Sequence, residues 1–497
     1  MDMDPKSLLP QTARNFLQFI DGNWTKGRPD GELVRKSPAH GTNVTVIQSG
    51  SRFDTDCGVA AARSAFDDGR WSSLPSSIRA EKLREVAGLI RKNAEELAIL
   101  ETLEAGKPIS QSRGEIAAAA GIWDYAAGLA QVLHGDSFNN LGSDLFGMVL
   151  REPIGVVGVI TPWNYPFFIL SERLPFILAS GCTAVVKPSE MTSATTLRLA
   201  ELIVEAGIPD GVVNVVTGPG SVVGQALVDH QDVDMISFTG STHVGRSAIV
   251  ASAQNIKKVS LELGGKNPQI VFADADLEAA ADGLVHGMVY NAGQTCVSGS
   301  RFICEKGIGD VLKEKVLRKL ARVKTGDPLD PEVQVGAIIS AKQRDQIMSH
   351  ISDAQAEGAC LDTGGKSLDG PGFFIEPTLF SNIRSDMAIN RAEVFGPVAS
   401  IMEFESADEA VRIANDSEYG LSAGVWVGNL TTAFETIRKI KAGRVWVNTF
   451  LTGGPEMPIG GYKQSGTGRE TGKYGVEEYT EVKSVHIDMG ARKPWVK

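Results

Sequence analysis

Apolar residues run along this chain in two rhythms. Over roughly 53–134 they recur every three or four positions, most clearly at 79–92 and 94–105, which predicts a helical stretch. From 155 onward, short apolar runs alternate with longer segments of helical period. The runs at 155–160, 183–187, 212–217, 233–239 and 257–261 predict strands, and 167–180, 193–206, 221–229 and 242–254 predict the helices between them. Such alternation builds βαβ units and a parallel sheet covered on both faces. A second alternation follows Gly293, with strands expected at 301–305, 399–404, 423–427 and 443–448, and helices at 310–323, 341–357, 407–414 and 430–441. Segments 146–151 and 482–489 carry partial strand alternation and stand apart from both series. Two isolated strands do not make a domain, so these are expected to pair with each other and with a neighbouring subunit.

A length of 497 residues suits two to four domains, and 54 glycines imply many tight turns or close backbone approaches. Acidic residues outnumber basic ones 60 to 49, so nucleic acid is a poor candidate partner. The five cysteines are scattered without CxxC spacing, and the seven histidines form no HxxxH or HExxH pair. Neither a disulfide framework nor a metal site is expected. The start, Met1 to Lys6, is acidic and lacks the apolar core of a signal peptide. The 19 uncharged residues from Pro153 to Ser171 imitate a membrane span, but three prolines and Asn164 make them a strand, a turn and a helix start. A soluble, cytoplasmic protein is expected.

Several turns carry candidate chemistry. Thr239-Gly-Ser-Thr-His-Val-Gly245 ends a strand and opens a helix, where backbone N–H groups can meet a phosphate; Gly218-Pro-Gly220 with Gly224 is a second such turn. Both are equally compatible with an ordinary glycine-capped turn. Lys187-Pro-Ser-Glu190 lies just past the second strand, where doubly wound sheets place an acid for ribose hydroxyls, although Ser189 or Glu190 could simply cap the next helix. Glu262, set between leucines at a strand end, suits a general base because apolar surroundings raise a carboxyl pKa, although a surface carboxylate beside a turn is the commoner meaning of one Glu. Cys296 sits in a loop of small residues joining the two α/β regions, a setting for an exposed thiolate, whereas Cys182 lies in an apolar stretch; most free cysteines are simply buried small hydrophobes. Asn164, in the proline turn after the first strand, offers an N–H to a developing oxyanion or is merely structural.

Taken together these residues resemble the aldehyde dehydrogenase superfamily over nearly the whole chain. Pro162-Trp-Asn164, Lys187-Pro-Ser-Glu190, Phe238-Thr-Gly-Ser-Thr-His-Val-Gly245, Leu261-Glu-Leu-Gly-Gly-Lys266, Gly293-Gln-Thr-Cys296, Glu393-Val-Phe-Gly-Pro-Val398 and the run from Gly460 to Glu470 stand in family order and at family-like spacing. The resemblance implies an α/β fold of two doubly wound parallel-sheet domains with a bridging β arm. Residues 1–137 and 153–263 would bind NAD, 264–455 would be catalytic, and 138–152 with 478–497 would form the oligomerisation arm of a dimer or tetramer. It implies Cys296 as nucleophile, Glu262 as general base and Asn164 as oxyanion donor. NAD would be held by Ile160, Thr161, Pro162, Trp163, Lys187, Ser189, Glu190, Gly220, Gly224, Gly240, Ser241, Gly245, Leu263, Glu393 and Phe395. Glu470 matches an acidic position sometimes assigned a proton relay.

The departures concern the aldehyde. Where many members carry an aromatic eight residues after the oxyanion Asn, this chain has Glu172, and before the late Gly-Gly pair it has Ile459. Tyr165 is retained, and with Phe168, Ile169 and Glu172 it shares one face of the expected helix. Tyr165, Phe168, Glu172, Thr295 and Ile459 are the substrate-pocket candidates, and Glu172 opens the door to amino or trimethylammonium aldehydes unless Arg173 or another base pairs with it. Two alternatives stand beside oxidation to the free acid: a coenzyme-A-acylating dehydrogenase, and a catalytically silent scaffold that only binds dinucleotide.

Overall fold

Strands buried on both faces have no polar side to show, which is why the first series reads as unbroken apolar runs rather than as alternation. In the computed structural model, which describes residues 8–28, 30–491 and 495–496, Val156–Ile160, Thr183–Lys187, Val213–Val215, Met235–Thr239 and Lys258–Glu262 form the parallel heart of one sheet. Residues 1–6, and 492–494 and 497 of the expected arm, lie outside the described residues. Val156–Ile160 lies between Thr183–Lys187 and Met235–Thr239, so the chain winds outward to one side, crosses over and winds to the other. A crevice at that reversal, beyond the carboxyl ends of the strands, is the standard dinucleotide site of such sheets.

The edges of this sheet are antiparallel. Gln18–Ile20 and Asn23–Thr25 extend one side, and Gly466–Thr467 pairs with Leu261 and Glu262 on the other. The first two strands are too short to show a period, although the Asp21-Gly22 turn, with φ of 51° and 74°, is a recognisable hairpin signal. A separate sheet, Arg14–Phe16, Asn43–Gln48 and Glu32–Lys36, was equally silent in the hydrophobic pattern.

The second sheet runs Cys360–Thr363, Thr378–Ser381, Val398–Phe404, Gly299–Glu305, Asn267–Val271, Ser422–Trp426 and Arg444–Val447, with only the first pair antiparallel. Asn267–Val271, an interior strand, went unpredicted because Pro268 and the buried Gln269 disguise it. The register shifts at Asn267/Pro268, so the missing N–H falls at an irregularity, and Gln269 Oε1 accepts from Trp426 Nε1 at 3.1 Å while its Nε2 is buried without a hydrogen-bond partner.

The helix expected over 167–180 is two helices, Pro166–Ser171 and Leu174–Ser180. Pro175 has no N–H to bond the Ser171 carbonyl and its ring would clash there, so the helix stops and restarts around Glu172 and Arg173. Residues 221–229 likewise begin as a π turn, Gly220–Gly224, before Gln225–Asp229. Leu145–Pro153 and Thr480–Asp488 pair antiparallel over nine residues, with Ser137–Phe138 alongside.

Helices Ser76–Lys92, Ala94–Ala105 and Ile109–Val132 pack under the first sheet; among the described residues no helix is long and apolar enough to cross a membrane. Trp123 is fully buried on Ile109–Val132 and donates to Ser171 Oγ at 3.2 Å, tying this layer to the helix after the Asn164 turn. Trp123→Ala should cost about 3–5 kcal/mol of stability, read as a lower denaturant midpoint with little change in slope.

Candidate active site

The two sheets are joined end to start. Lys258–Glu262 finishes at the carboxyl edge of the first sheet, and four residues later Asn267–Val271 begins the second. Whatever follows Glu262 and whatever precedes Gly299–Glu305 must therefore meet in one seam. Cys296 lies in that seam, partly exposed.

The loop before Cys296 is held in a costly shape. Asn291, Ala292 and Gly293 are successively left-handed, with φ of 52°, 54° and 69°. A β-carbon on Gly293 would come within 2.1 Å of the Gly396 carbonyl oxygen, so no other residue fits. Side chains repay the strain: Asn291 Nδ2 donates to the Asn164 carbonyl at 2.9 Å, and Gln294 Oε1 accepts from Ile339 N–H at 2.9 Å. Thr295 Oγ1 lies 2.6 Å from Tyr165 Oη, and Asn267 Nδ2 donates to the Cys296 carbonyl at 2.8 Å. Asn164 spends one amide hydrogen on the Gln294 carbonyl at 2.9 Å, leaving its second for an oxyanion.

Glu262 is buried, and its Oε1 has no hydrogen-bond partner. Burial, reinforced by Glu470 and Glu172 and opposed by Arg173, pushes its carboxyl up to about 8. Burial also pushes the Cys296 thiol up to about 12, with Glu393, Glu262 and Glu172 adding to it, while the Val297 N–H favours the thiolate. The resting sulfur is thus a thiol that needs a base. Cys304, by contrast, is wholly buried against the Met402 carbonyl.

Glu470 does not touch Glu262. It accepts from Tyr479 Oη at 2.9 Å, Ser260 Oγ at 3.2 Å and Ser237 Oγ at 3.3 Å, and pairs with Arg173 Nε at 3.6 Å. Arg173 thus forms its ion pair with Glu470 and none with Glu172, although its charge still favours the Glu172 carboxylate. Glu172 N–H bonds the Phe168 carbonyl and Ile169 N–H the Tyr165 carbonyl, so the expected common face exists despite the shortened helix. The rings of Tyr165 and Phe168 lie 6.5 Å apart on it. Ile459 bridges to Glu470 through paired backbone bonds at 2.8 Å.

At the reversal of the first sheet the residues suit a dinucleotide. Thr161 and Thr239, just past and at the ends of neighbouring strands, carry buried hydroxyls without partners. The helix Thr242–Ser252 opens beside Thr239, Gly240 and the cap Ser241, turning its free N–H groups outward. Lys187 Nζ holds Glu190 Oε2 at 3.1 Å, while Gly220 and Gly224 face the Lys187 side chain with no bulk of their own. Gly245 packs against Leu263, and Ile160 is buried behind them. Pro162 and Trp163 follow in the turn to Asn164, and Ser189 caps the Lys187 loop by accepting from Met191 N–H at 3.3 Å. On the Cys296 side, Glu393 accepts from Gly265 N–H at 3.0 Å, and Phe395, left-handed at φ 55°, meets Trp163 edge to face at 5.3 Å. Among the described residues no group of three or more His, Cys, Asp or Glu is placed to hold a metal ion.

A sequence profile described as the aldehyde dehydrogenase family matches residues 24–485. The chain belongs to the aldehyde dehydrogenase family. A crystal structure of an NAD-dependent aldehyde dehydrogenase from Sinorhizobium meliloti is 49% identical, aligns over 100% of this chain and 99% of its own, and superposes with a TM-score of 0.97. The betaine aldehyde dehydrogenase of Bacillus subtilis is 43% identical over 94% of this chain and 96% of its own. The indole-3-acetaldehyde dehydrogenase of P. syringae, solved with NAD+, is 40% identical over 98% and 99% of the two chains, with a TM-score of 0.96.

In this aldehyde dehydrogenase, three residues at the seam escaped sequence reasoning. Asn267 was hidden by the unpredicted strand, Gln294 was read only as part of a motif, and Arg444 looked like any first residue of a strand. None carries a pattern signal of its own. The left-handed loop gives a direct test: Gly293→Ala should lower kcat at least about 10²-fold by displacing the sulfur, while the far-ultraviolet circular dichroism stays native.

Proposed function

We propose that this aldehyde dehydrogenase oxidises an aldehyde to its carboxylic acid with NAD+, using Cys296, Glu262 and Asn164. The observation that carries the reading is the convergence at one seam of a thiol, a partnerless carboxyl whose pKa is raised to about 8, and an amide with a hydrogen to spare. Bound NAD+ supplies the hydride acceptor. Lys187 and Glu190 would hold its adenosine ribose, the Thr242–Ser252 N-terminus its phosphates, and Glu393 and Phe395 its nicotinamide end.

Glu262 takes the thiol proton as sulfur adds to the aldehyde carbon. Asn164 and the Cys296 backbone N–H then stabilise the oxyanion, each donor being worth roughly 3–4 kcal/mol in the transition state. Collapse of the thiohemiacetal with loss of hydride leaves a thioester on Cys296. Once Glu262 has released the thiol proton to solvent, it takes a proton from water as the water oxygen attacks the thioester. The C–S bond breaks, the acid is released, and the leaving thiolate takes that proton from Glu262 to restore the thiol. Water rather than coenzyme A is the acceptor in this reading, because a buried base adjacent to the sulfur has that task to perform.

The same reading carries a homo-oligomer. The arm strand Thr480–Asp488 lies at a sheet edge with Val482, Ile487 and Met489 exposed, a surface suited to another copy of the chain. Five free cysteines fit a reducing, cytoplasmic setting.

Cys296→Ala should abolish aldehyde-dependent NADH formation and still bind NAD+, whereas Glu262→Gln should give one NADH per site and then stall. Because the base must be ionised, the wild-type deacylation rate should rise with pH and level off above about 8; a flat profile, or a requirement for coenzyme A, contradicts the assignment. Glu190 beside the ribose favours a free 2′-hydroxyl and repels a 2′-phosphate, so kcat/KM should be higher with NAD+ than with NADP+.

A further inference from the structure

Against the ring of Tyr165 lies a cluster of charge that the reaction above leaves without a role. Helix Ala94–Ala105 ends at Gly106, left-handed at φ 76°, and the turn carries Lys107 into the interior. The side chains of Lys107 and Glu101 are wholly buried, and that of Glu115 nearly so. Lys107 Nζ donates to Glu101 Oε1 at 3.0 Å and to Glu115 Oε2. The same ammonium lies over the Tyr165 ring, 4.1 Å from its centroid. A buried ion pair adds little stability over apolar side chains of the same size, so what this cluster can add is fixed geometry.

The geometry it fixes is that of the nucleophile loop, which it reaches by three routes. Glu115 Oε1 accepts from Tyr290 Oη at 3.4 Å and, one turn earlier on Ile109–Val132, Gln111 Oε1 accepts from Asn291 N–H at 2.9 Å. The Gly106 carbonyl accepts from Ala337 N–H at 2.8 Å, and the Ala337 carbonyl accepts from Gln294 Nε2 at 3.3 Å. The third route runs through the ring beside Lys107. Tyr165 Oη lies 2.6 Å from Thr295 Oγ1, which lies 3.4 Å from the Tyr290 carbonyl.

The direction of that last chain follows from the chemistry of its end. A carbonyl only accepts, so Thr295 gives its hydrogen to Tyr290 and receives one from Tyr165. The order is then Lys107 on the ring face, Tyr165 O–H to Thr295, Thr295 O–H to the Tyr290 carbonyl, and Cys296 next along the backbone. With its hydroxyl engaged on both sides, Thr295 has one orientation, and so has the peptide that follows it. That peptide carries the Cys296 N–H, the second oxyanion donor, and leads directly to the sulfur.

We infer, resting on the dehydrogenase reading above, that Lys107 is a positioning residue for Cys296. Braced by Glu101 and Glu115, its ammonium sets the Tyr165 ring, and the Tyr165 hydroxyl holds Thr295 and the Thr295–Cys296 peptide in place for attack on the aldehyde.

The test is a double-mutant cycle read in the rate of the first NADH turnover on a neutral aldehyde at saturating NAD+, followed by stopped flow so that slow product release does not mask it. Tyr165→Phe keeps the ring over Lys107 and removes only the hydroxyl. It should slow the first turnover by about 3–10-fold, the range of one neutral hydrogen bond, with the KM for NAD+ unchanged. Lys107→Met should slow it by a similar factor in the wild-type background and by less than about 2-fold in Tyr165→Phe, because its effect passes through the missing hydroxyl. Lys107→Met combined with Glu115→Gln, which removes one stranded acid with the cation, should behave in the same way and serves if Lys107→Met alone does not fold. A role confined to packing would instead give the same loss in both backgrounds, together with a lower melting temperature. That multiplicative result, a Lys107→Met enzyme as fast as the wild type, or failure of both Lys107 variants to fold, overturns the inference, the last because it makes the cluster a requirement of folding. Absence of NADH from the wild type overturns the parent reading instead, which keeps the two failures distinct.

Discussion

The side chain of Asn267 ties the nucleophile loop to the start of the strand Ser422–Trp426. Its amide nitrogen donates to the carbonyls of Cys296 and Ser298, and its oxygen accepts from Ser422 N–H. The residue is almost wholly buried, so losing it would strand three backbone polar groups in a place water cannot reach. The nucleophile loop, the second sheet and the strand beside Arg444 all take their positions from this clamp. It can act only because the first sheet ends and the second begins within a few residues. A β-carbon on Gly265 would lie 2.7 Å from the Cys296 carbonyl oxygen, so the connection passes close under the loop it supports.

Electrostatics at the seam follow from crowding acids into a place with little water. Glu262, Glu172 and Glu393 all lie above the usual carboxylate range, and burial is the first cause for each. The result is a set of carboxyls able to exchange protons near neutrality, beside a sulfur held as a thiol. Arg173 and Arg444 divide the compensation unequally. Arg173 is matched by Glu470 within a cage of hydroxyls, whereas Arg444 lies over Trp446 without an ion pair among the described residues. A matched pair adds little net field.

The neighbours of Cys296 also show why strain is tolerated there. Three left-handed residues in succession would not persist on a free loop. Here Asn291 and Thr295 are bonded to the Asn164–Tyr165 turn and Gln294 to Ile339, so relaxing one backbone angle would break several hydrogen bonds at once.

The sequence alone determined the α/β class, the two series of strands and the chemistry-bearing turns, because buried strands and glycine turns leave dense local signals. Cys296, Glu262 and Asn164 were legible because each sits in a short motif whose neighbours limit what it can do. The interior strand Asn267–Val271 was not legible, since Pro268 and Gln269 are acceptable there only at a register shift and beside Trp426. The interruption near Glu172 was written in Pro175, but its consequence, that Arg173 turns to Glu470, required a residue about 300 positions away to be in place. Arg444 is the clearest case of what tertiary structure decided. As a letter in the chain it begins a strand like any other arginine. Its lack of an ion-pair partner and its electrostatic influence on Glu172 and Cys296 arise only when the second sheet's edge is brought against the end of the first. A local pattern can specify a strand or a turn, whereas an unpaired charge is a property of everything that surrounds it.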